Sequence, residues 1–205
     1  MGRLACLLVL SAFALSGQSP KTRPPVREGD RAFLIDPLKS VGHITPICSE
    51  RDLIRIYGAR NVRRANIELG EGETEEGTVL FPGTPSAVEI LWKGAFSHPT
   101  CLTISSPGTP WRTSEGITIG TTAEQLGKIN GYPFRLTGFC WDYEGRSISW
   151  GKGRLPKQLQ LDFNPTQKVS EADDRAVMGD RIFSSAHPVM IEKKLVVCSI
   201  IIRWD

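Results

Sequence analysis

The segment 116–131 reads GITIGTTAEQLGKING and contains the signals for one short helix. Thr122 and Gln125 have the spacing of a capping box, in which a hydroxyl and a later side chain satisfy each other's backbone N–H groups. Leu126 and Ile129 lie three residues apart, so they share one helix face. The final glycine is the left-handed residue that commonly follows a helix. A helix of about two to three turns needs tertiary packing to be stable, which predicts that it lies on a sheet.

A second segment, 43–58, reads HITPICSERDLIRIYG and repeats this arrangement. Ser49 and Asp52 form the aspartate variant of the capping box. Leu53 and Ile56 share a helix face, and a glycine again ends the pattern. The sequence therefore predicts two short capped helices, each at the start of a similar unit.

Short alternating runs of apolar and polar residues predict strands between and after these helices. The chain has 20 glycines and 14 prolines, which favour many turns and short elements. The last run has apolar residues on both faces, as expected for a central strand. The predicted class is α+β, an antiparallel sheet with short capped helices packed on one face, divided into units 43–108 and 109–205. The predicted strands are 87–92, 101–105, 134–143 paired with 146–150, 159–163 and 195–204, and 170–180 is a third short helix or a loop.

The N-terminus has the pattern of an exported protein. In 1–16, Arg3 precedes an apolar run and small residues follow it, as in a secretory signal peptide. The apolar run is shorter than the roughly 20 residues that a transmembrane helix needs. Residues 17–42 are proline-rich and predict an extended arm. We therefore expect a periplasmic or secreted protein with no stable membrane insertion after signal cleavage.

Four cysteines follow the predicted signal peptide. An even number in an oxidising compartment permits two disulfide bonds, in any of three connectivities. Four buried thiols are the alternative, because cysteine is also a small apolar core residue. The candidates are Cys48, Cys101, Cys140 and Cys198.

The composition excludes several classes of protein. Of 205 residues, 40% are hydrophobic and 23% charged, which argues against intrinsic disorder. Lys and Arg number 25 against 22 Asp and Glu, a net charge of +3 that is too small for a dedicated nucleic-acid-binding protein. His98 and Cys101 have the spacing of half a zinc site, but no second pair follows. Phosphate-binding glycine loops and G-x-S-x-G motifs are also missing, so we expect no catalytic residue, metal or cofactor.

The segment 68–77 reads ELGEGETEEG and is strongly acidic. Glu71 and Glu73 lie at its centre and are candidates for an acidic protein-contact surface, which would attract a basic partner. A solvated loop and a calcium-binding loop are the alternatives, although the ordered spacing of a calcium loop is lacking.

An aromatic stripe is the second candidate for binding. Phe139, Trp141 and Tyr143 alternate along one predicted strand, and Trp150 follows on its neighbour. Facing outward, the stripe would be a protein-binding hot spot or a sugar-stacking platform. Facing inward, it is core beneath the second helix, which is the more common place for aromatic side chains on strands.

The capped helix that follows an Ile-Thr segment and precedes antiparallel strands resembles the unit of β-lactamase-inhibitor-protein-like folds. It also resembles the helix-plus-sheet unit of SmpA/OmlA (BamE-type) outer-membrane lipoproteins. Segment 116–131 carries the better match, whereas 43–58 departs from it at Pro46 and Cys48. The whole chain further resembles exported bacterial proteins of unknown function.

This resemblance implies protein binding without catalysis, and it transfers no individual binding residue. We therefore expect an exported non-catalytic protein that binds another envelope or extracellular protein. The alternative is an envelope carbohydrate- or peptidoglycan-binding protein, or a hydrolase, that uses the stripe formed by Phe139, Trp141 and Tyr143.

Overall fold

The computed structural model describes residues 31–140 and 145–204. The predicted signal peptide and most of the predicted arm therefore lie outside the described residues. In chain order the strands are β1 (Leu34–Asp36), β2 (Ser40–Val41), β3 (Val62–Gly70), β4 (Glu73–Leu80), β5 (Val88–Lys93), β6 (His98–Ile104), β7 (Arg112–Thr113), β8 (Arg135–Thr137), β9 (Ser147–Ser149), β10 (Leu159–Pro165), β11 (Ile182–Ser184) and β12 (Leu195–Arg203). The helices are α1 (Glu50–Tyr57), α2 (Ala123–Asn130), α3 (Glu171–Ala176) and α4 (Pro188–Glu192), and a 3-10 turn covers Ala59–Asn61.

The largest sheet has six strands in the order β10-β12-β6-β5-β4-β3, and all its neighbours are antiparallel. Two three-stranded sheets flank it, β2-β1-β7 and β11-β8-β9, and only the β1–β7 pair among these is parallel. The predicted α+β class is confirmed. The six-stranded sheet takes strands from both predicted units, so it continues across the expected boundary near residue 108.

Both predicted capping boxes are present. The Oγ of Ser49 accepts from the N–H of Asp52 at 3.2 Å, and the Asp52 carboxylate accepts from the Ser49 N–H at 3.0 Å. Thr122 and Gln125 make the equivalent pair at 3.1 and 2.9 Å. Gly131 has a φ of 84° and ends α2 in the left-handed conformation. These local contacts explain why α1 and α2 begin where the sequence predicts, whereas Gly58 ends α1 with a ψ of 143°, outside the left-handed helical conformation.

Both capped helices contribute to the apolar core beside the six-stranded sheet. Leu53 of α1 and Leu126 of α2 are fully buried in the same apolar cluster as Ile90 of β5 and Leu102 of β6. The predicted apolar face of α1 is only partly correct, because Ile56 is exposed. The buried residues of α1 are Leu53 and the capping-turn residue Glu50.

The predicted central strand is confirmed, since β12 lies between β10 and β6. Of the two alternatives for 170–180, a short helix or a loop, the helix is present as α3, where the hydroxyl of Ser170 accepts from the N–H of Asp173 at 3.1 Å. Within the described ranges, no helix is both long enough and apolar enough to cross a bilayer.

The predicted disulfide bonds are not formed among the four described cysteines. Cys101 and Cys198 lie on the adjacent strands β6 and β12, but the register places Cys101 opposite Arg203. Cys198 is about five residues further along β12, or about 16 Å at the rise of an antiparallel strand. A disulfide bond needs Cα atoms within about 7 Å. Cys48 is buried beside α1, and Cys140 is exposed after β8.

Candidate functional site

The aromatic stripe does not form an outward-facing platform in the described residues. Phe139 and Trp150 are only 5% and 6% exposed. The indole N–H of Trp150 donates to the carbonyl of Leu159 at 2.9 Å, and its ring lies 5.4 Å from that of Phe134. Both residues belong to the core, so the structure places them as the inward-facing alternative describes. Trp141 and Tyr143 lie outside the described residues.

The pair with the spacing of half a zinc site, His98 and Cys101, does not converge on a common metal position. His98 and Cys101 are both on β6, three residues apart, so the pleat directs them to opposite faces. The Nδ1 of His98 lies 2.9 Å from the hydroxyl of Ser97. Within residues 31–140 and 145–204, no group of three His, Cys, Asp or Glu side chains is placed to hold a metal ion.

The acidic segment is part of a long β-hairpin, which corrects the expectation of an irregular loop. β3 and β4 pair from Val62–Leu80 to Gly70–Glu73, with a bulge after Glu68. Glu71 and Gly72 make the turn, and Glu71 has a positive φ of 52°. Glu71 and Glu73 therefore occupy the tip of a defined ribbon.

The distal half of this hairpin projects beyond the sheet. β4 pairs with β5 only from Thr78 to Leu80, whereas it pairs with β3 over its full length. The pairing of β4 with β5 ends next to Gly77. The backbone of β5 still passes close to this glycine, because a Cβ there would lie 2.6 Å from the carbonyl oxygen of Ile90. Among the described strands, β3 is the edge of the six-stranded sheet. The hairpin thus presents an open strand edge of nine residues.

Charge is divided along the hairpin. Its base carries exposed arginines and its distal part carries exposed glutamates. On the neighbouring strand β5, burial raises the pKa of Glu89, and the charge of Glu68 raises it further. The basic residues are Arg60, Arg63 and Arg64, and the acidic ones are Glu68, Glu71, Glu73, Glu75 and Glu76.

The base of the hairpin is fixed to α1 by a polar cluster. The guanidinium of Arg64 donates to both carboxylate oxygens of Glu50 at 2.7 to 3.1 Å and lies 3.9 Å from the ring centre of Phe96. The buried hydroxyl of Thr78 donates to Glu50 at 2.8 Å and accepts from the indole of Trp92 at 3.0 Å. Every polar group of this cluster is therefore hydrogen-bonded, as burial requires.

The cluster also sets the ionisation of its carboxylate. Burial alone would raise the pKa of Glu50, but hydrogen bonds from Arg64 and Thr78 and the charge of Arg64 outweigh it. The net effect lowers the pKa below its ordinary value of 4.5. Glu50 is therefore a carboxylate at neutral pH, and its ion pair with Arg64 holds the hairpin base against the helix.

A second concave surface lies between α2 and α4. It is an open groove of about 600 Å³ with mainly apolar walls. The groove was not expected from the sequence, because no helix was predicted at the position of α4. The isolated glycine inside the α2 pattern, Gly127, is the one signal that pointed to it. The lining residues are Thr122, Ala123, Glu124, Gly127, Lys128, Gly131, Tyr132, Pro133, Ser185, Met190, Ile191, Lys194 and Leu195.

Comparison with known proteins gives little further information. No protein-family profile matches the chain, and no curated protein sequence matches it. The crystal structure of the uncharacterized protein yfeY from Escherichia coli is similar at a TM-score of 0.47 and 14% identity. That likeness covers 81% of this chain and 97% of the yfeY chain. A likeness at this level carries no inference about function.

Proposed function

We propose that this chain is an exported, non-catalytic protein that binds another envelope or extracellular protein through the β3–β4 hairpin. The observation that carries the proposal is the open edge of the nine-residue strand β3, whose distal half projects beyond the sheet together with β4. The sequence pattern of 1–16 supports export.

An open strand edge can bind an extended segment of another protein by adding it as a further strand. Main-chain hydrogen bonds then supply affinity and alternate side chains supply specificity. Many proteins protect such an edge by covering it or keeping it very short. Neither protection is present on β3 among the described residues, although its arginines and Glu68 limit nonspecific pairing.

The charge of the hairpin tip selects the chemistry of the partner. Five exposed glutamates lie between Glu68 and Glu76, so the complementary segment is basic. Charges of opposite sign increase the association rate, and salt screens them over about 10 Å at 0.1 M ionic strength. The tip is expected to steer the partner, and the backbone of β3 is expected to hold it.

The first experiment places a photo-crosslinking residue at Glu73 of the exported chain and a control at Lys152. A partner captured from the envelope fraction at position 73, but not at 152, is identified and purified. Its affinity for the wild-type chain is then measured at low and high salt. Capture at both positions alike, or no capture at either, would contradict the proposal.

The second experiment separates the tip from the strand edge. Glu71→Lys with Glu73→Lys should lower the association rate and weaken its salt dependence. Successive N–H groups of a strand point to opposite neighbours, so one of Ala65→Pro and Asn66→Pro removes only an outward donor. That variant should keep the hairpin by circular dichroism and lose the partner. If a purified partner binds all these variants as it binds the wild type, the hairpin is not the binding surface.

A further inference from the structure

The groove between α2 and α4 has the size and lining of a ligand site. Its volume of about 600 Å³ falls within the usual range for small-molecule pockets. Tyr132 and Ile191 on its rim are 53% and 62% exposed, so large apolar side chains face solvent on both walls. Met190 and Leu195 are buried and form part of its floor.

Gly127 is a residue that the helix itself does not require. It lies inside α2, where glycine is less stable than alanine by about 0.5–1 kcal/mol. A Cβ at this position would meet no atom within 4 Å, so packing does not demand glycine either. The absence of a side chain has one structural effect, which is to keep the groove deep along α2.

Lys194 is a second residue that the fold alone does not explain. It follows α4 with a φ of 47°, a left-handed conformation that costs a residue other than glycine about 1–2 kcal/mol. Its backbone is bound on both sides, with the N–H donating to Ile191 at 3.2 Å and the carbonyl accepting from Thr166 at 2.7 Å. Glycine would make the same bonds without strain, but it would remove the lysine side chain from the groove.

The charges on the groove favour an anion. Lys128 and Lys194 both line it, whereas Glu124 is its one acidic residue. The ammonium of Lys128 lies 2.6 Å from the Glu124 carboxylate, so that pair is internally compensated. No ion pair of Lys194 is seen within residues 31–140 and 145–204, so its exposed charge remains for a ligand.

The apolar walls favour a hydrocarbon chain over an extended peptide. The hydroxyl of Thr122 caps α2, and that of Ser185 accepts from the N–H of Phe134 at 3.0 Å. A peptide lying in the groove would bury backbone amides against mainly apolar walls, where they would lose hydrogen bonds to water. A hydrocarbon chain has no such requirement.

We propose that this groove binds a single-chain amphiphile with an anionic headgroup, such as a long-chain carboxylate. The chain occupies the space left open by Gly127, and the headgroup pairs with Lys194. This site is independent of the hairpin.

Isothermal titration calorimetry of the purified protein with dodecanoate, below the critical micelle concentration of dodecanoate, tests the proposal. Saturable binding is expected for dodecanoate, with weaker binding of dodecylamine, which has the same chain and a positive head. Gly127→Leu should weaken dodecanoate binding by about tenfold or more, because the new side chain fills the space. Lys194→Gly should weaken it by about fivefold, the effect of one partly exposed ion pair.

The two variants also separate ligand binding from stability. Lys194→Gly relieves a strained backbone, so its urea midpoint should equal or exceed that of the wild type while its affinity falls. Lys39→Ala, at a lysine that does not line the groove, should bind as the wild type does. Absence of saturable binding, equal affinity for both headgroups, or unchanged affinity in Gly127→Leu would each overturn the proposal.

Discussion

The contacts of the Asn130 side chain predict how much stability is lost when this residue is replaced. It is 1% exposed at the end of α2. Its amide N–H groups donate to the carbonyls of Tyr132 and Trp150 at 2.8 and 2.9 Å, and its oxygen accepts from the N–H of Leu155 at 3.2 Å. One side chain therefore joins the end of α2 to the residue after β9 and to the turn before β10.

Replacing Asn130 with alanine removes three hydrogen bonds at once. The N–H of Leu155 is buried and would be left without its partner at a cost of about 1–3 kcal/mol, whereas the carbonyl of Trp150 would still accept from the N–H of Gly153 at 3.0 Å. The bond to Tyr132 is partly exposed, so water replaces it at lower cost. We expect Asn130→Ala to lower the free energy of unfolding by about 2 kcal/mol.

Urea denaturation followed by tryptophan fluorescence measures this loss, with Asn66→Ala as the matched control. Asn66 is exposed on β3, so its replacement should change stability by less than about 0.5 kcal/mol. A loss below about 1 kcal/mol for Asn130→Ala, with an unchanged denaturant slope, would refute the argument from orphaned backbone groups.

A double-mutant cycle with Gly153 tests the same geometry from the other side. A Cβ at Gly153 would lie 2.1 Å from the amide atoms of Asn130, so Gly153→Ala must displace that side chain. In the Asn130→Ala background those atoms are gone, and the second substitution should cost little. Additive losses would show that the two residues do not interact.

Three further predictions concern stability. Because the pKa of Glu50 is lowered, its stabilising effect is fully present above about pH 4.5 and is lost as the pH falls through the folded-state value. Glu50→Gln should remove this part of the acid dependence in urea midpoints measured between pH 3 and 7. An unchanged pH profile in this variant would contradict the assignment. Gly77→Ala should destabilise by about 1–3 kcal/mol by calorimetry, because its Cβ would lie 2.6 Å from a backbone oxygen, and an unchanged melting temperature would count against the close approach. Gly127→Ala should stabilise by about 0.5–1 kcal/mol in urea, and a loss of stability would show that α2 needs glycine there.

The helices were predictable because their signals are local. Ser49 and Thr122 each lie three residues before their capping partners, Asp52 and Gln125. The same contacts form in the structure. The central strand β12 was predictable because its apolar residues fall on both faces. In these elements, propensity and tertiary packing favour the same conformation.

The β3–β4 hairpin was not predictable by the same means. Beyond Gly77 the hairpin leaves the sheet, so Glu73 to Glu76 are exposed on both faces and no alternation remains. The groove was also hidden, because it depends on how α2 packs beside α4, about 60 residues later in the chain. The cysteine positions gave no warning of the β6–β12 register, which keeps Cys101 and Cys198 apart.

The two similar capped helices carry different surfaces of the molecule. α1 buries Glu50 and Leu53, and the carboxylate of Glu50 fixes the base of the hairpin through Arg64. α2 buries Leu126 and leaves Gly127 open on its other side, where it forms a wall of the groove. Because the hairpin depends on a charged contact and the groove on a missing side chain, Glu50→Gln should disturb the hairpin and leave the groove intact. Gly127→Leu should close the groove while the hairpin stays intact.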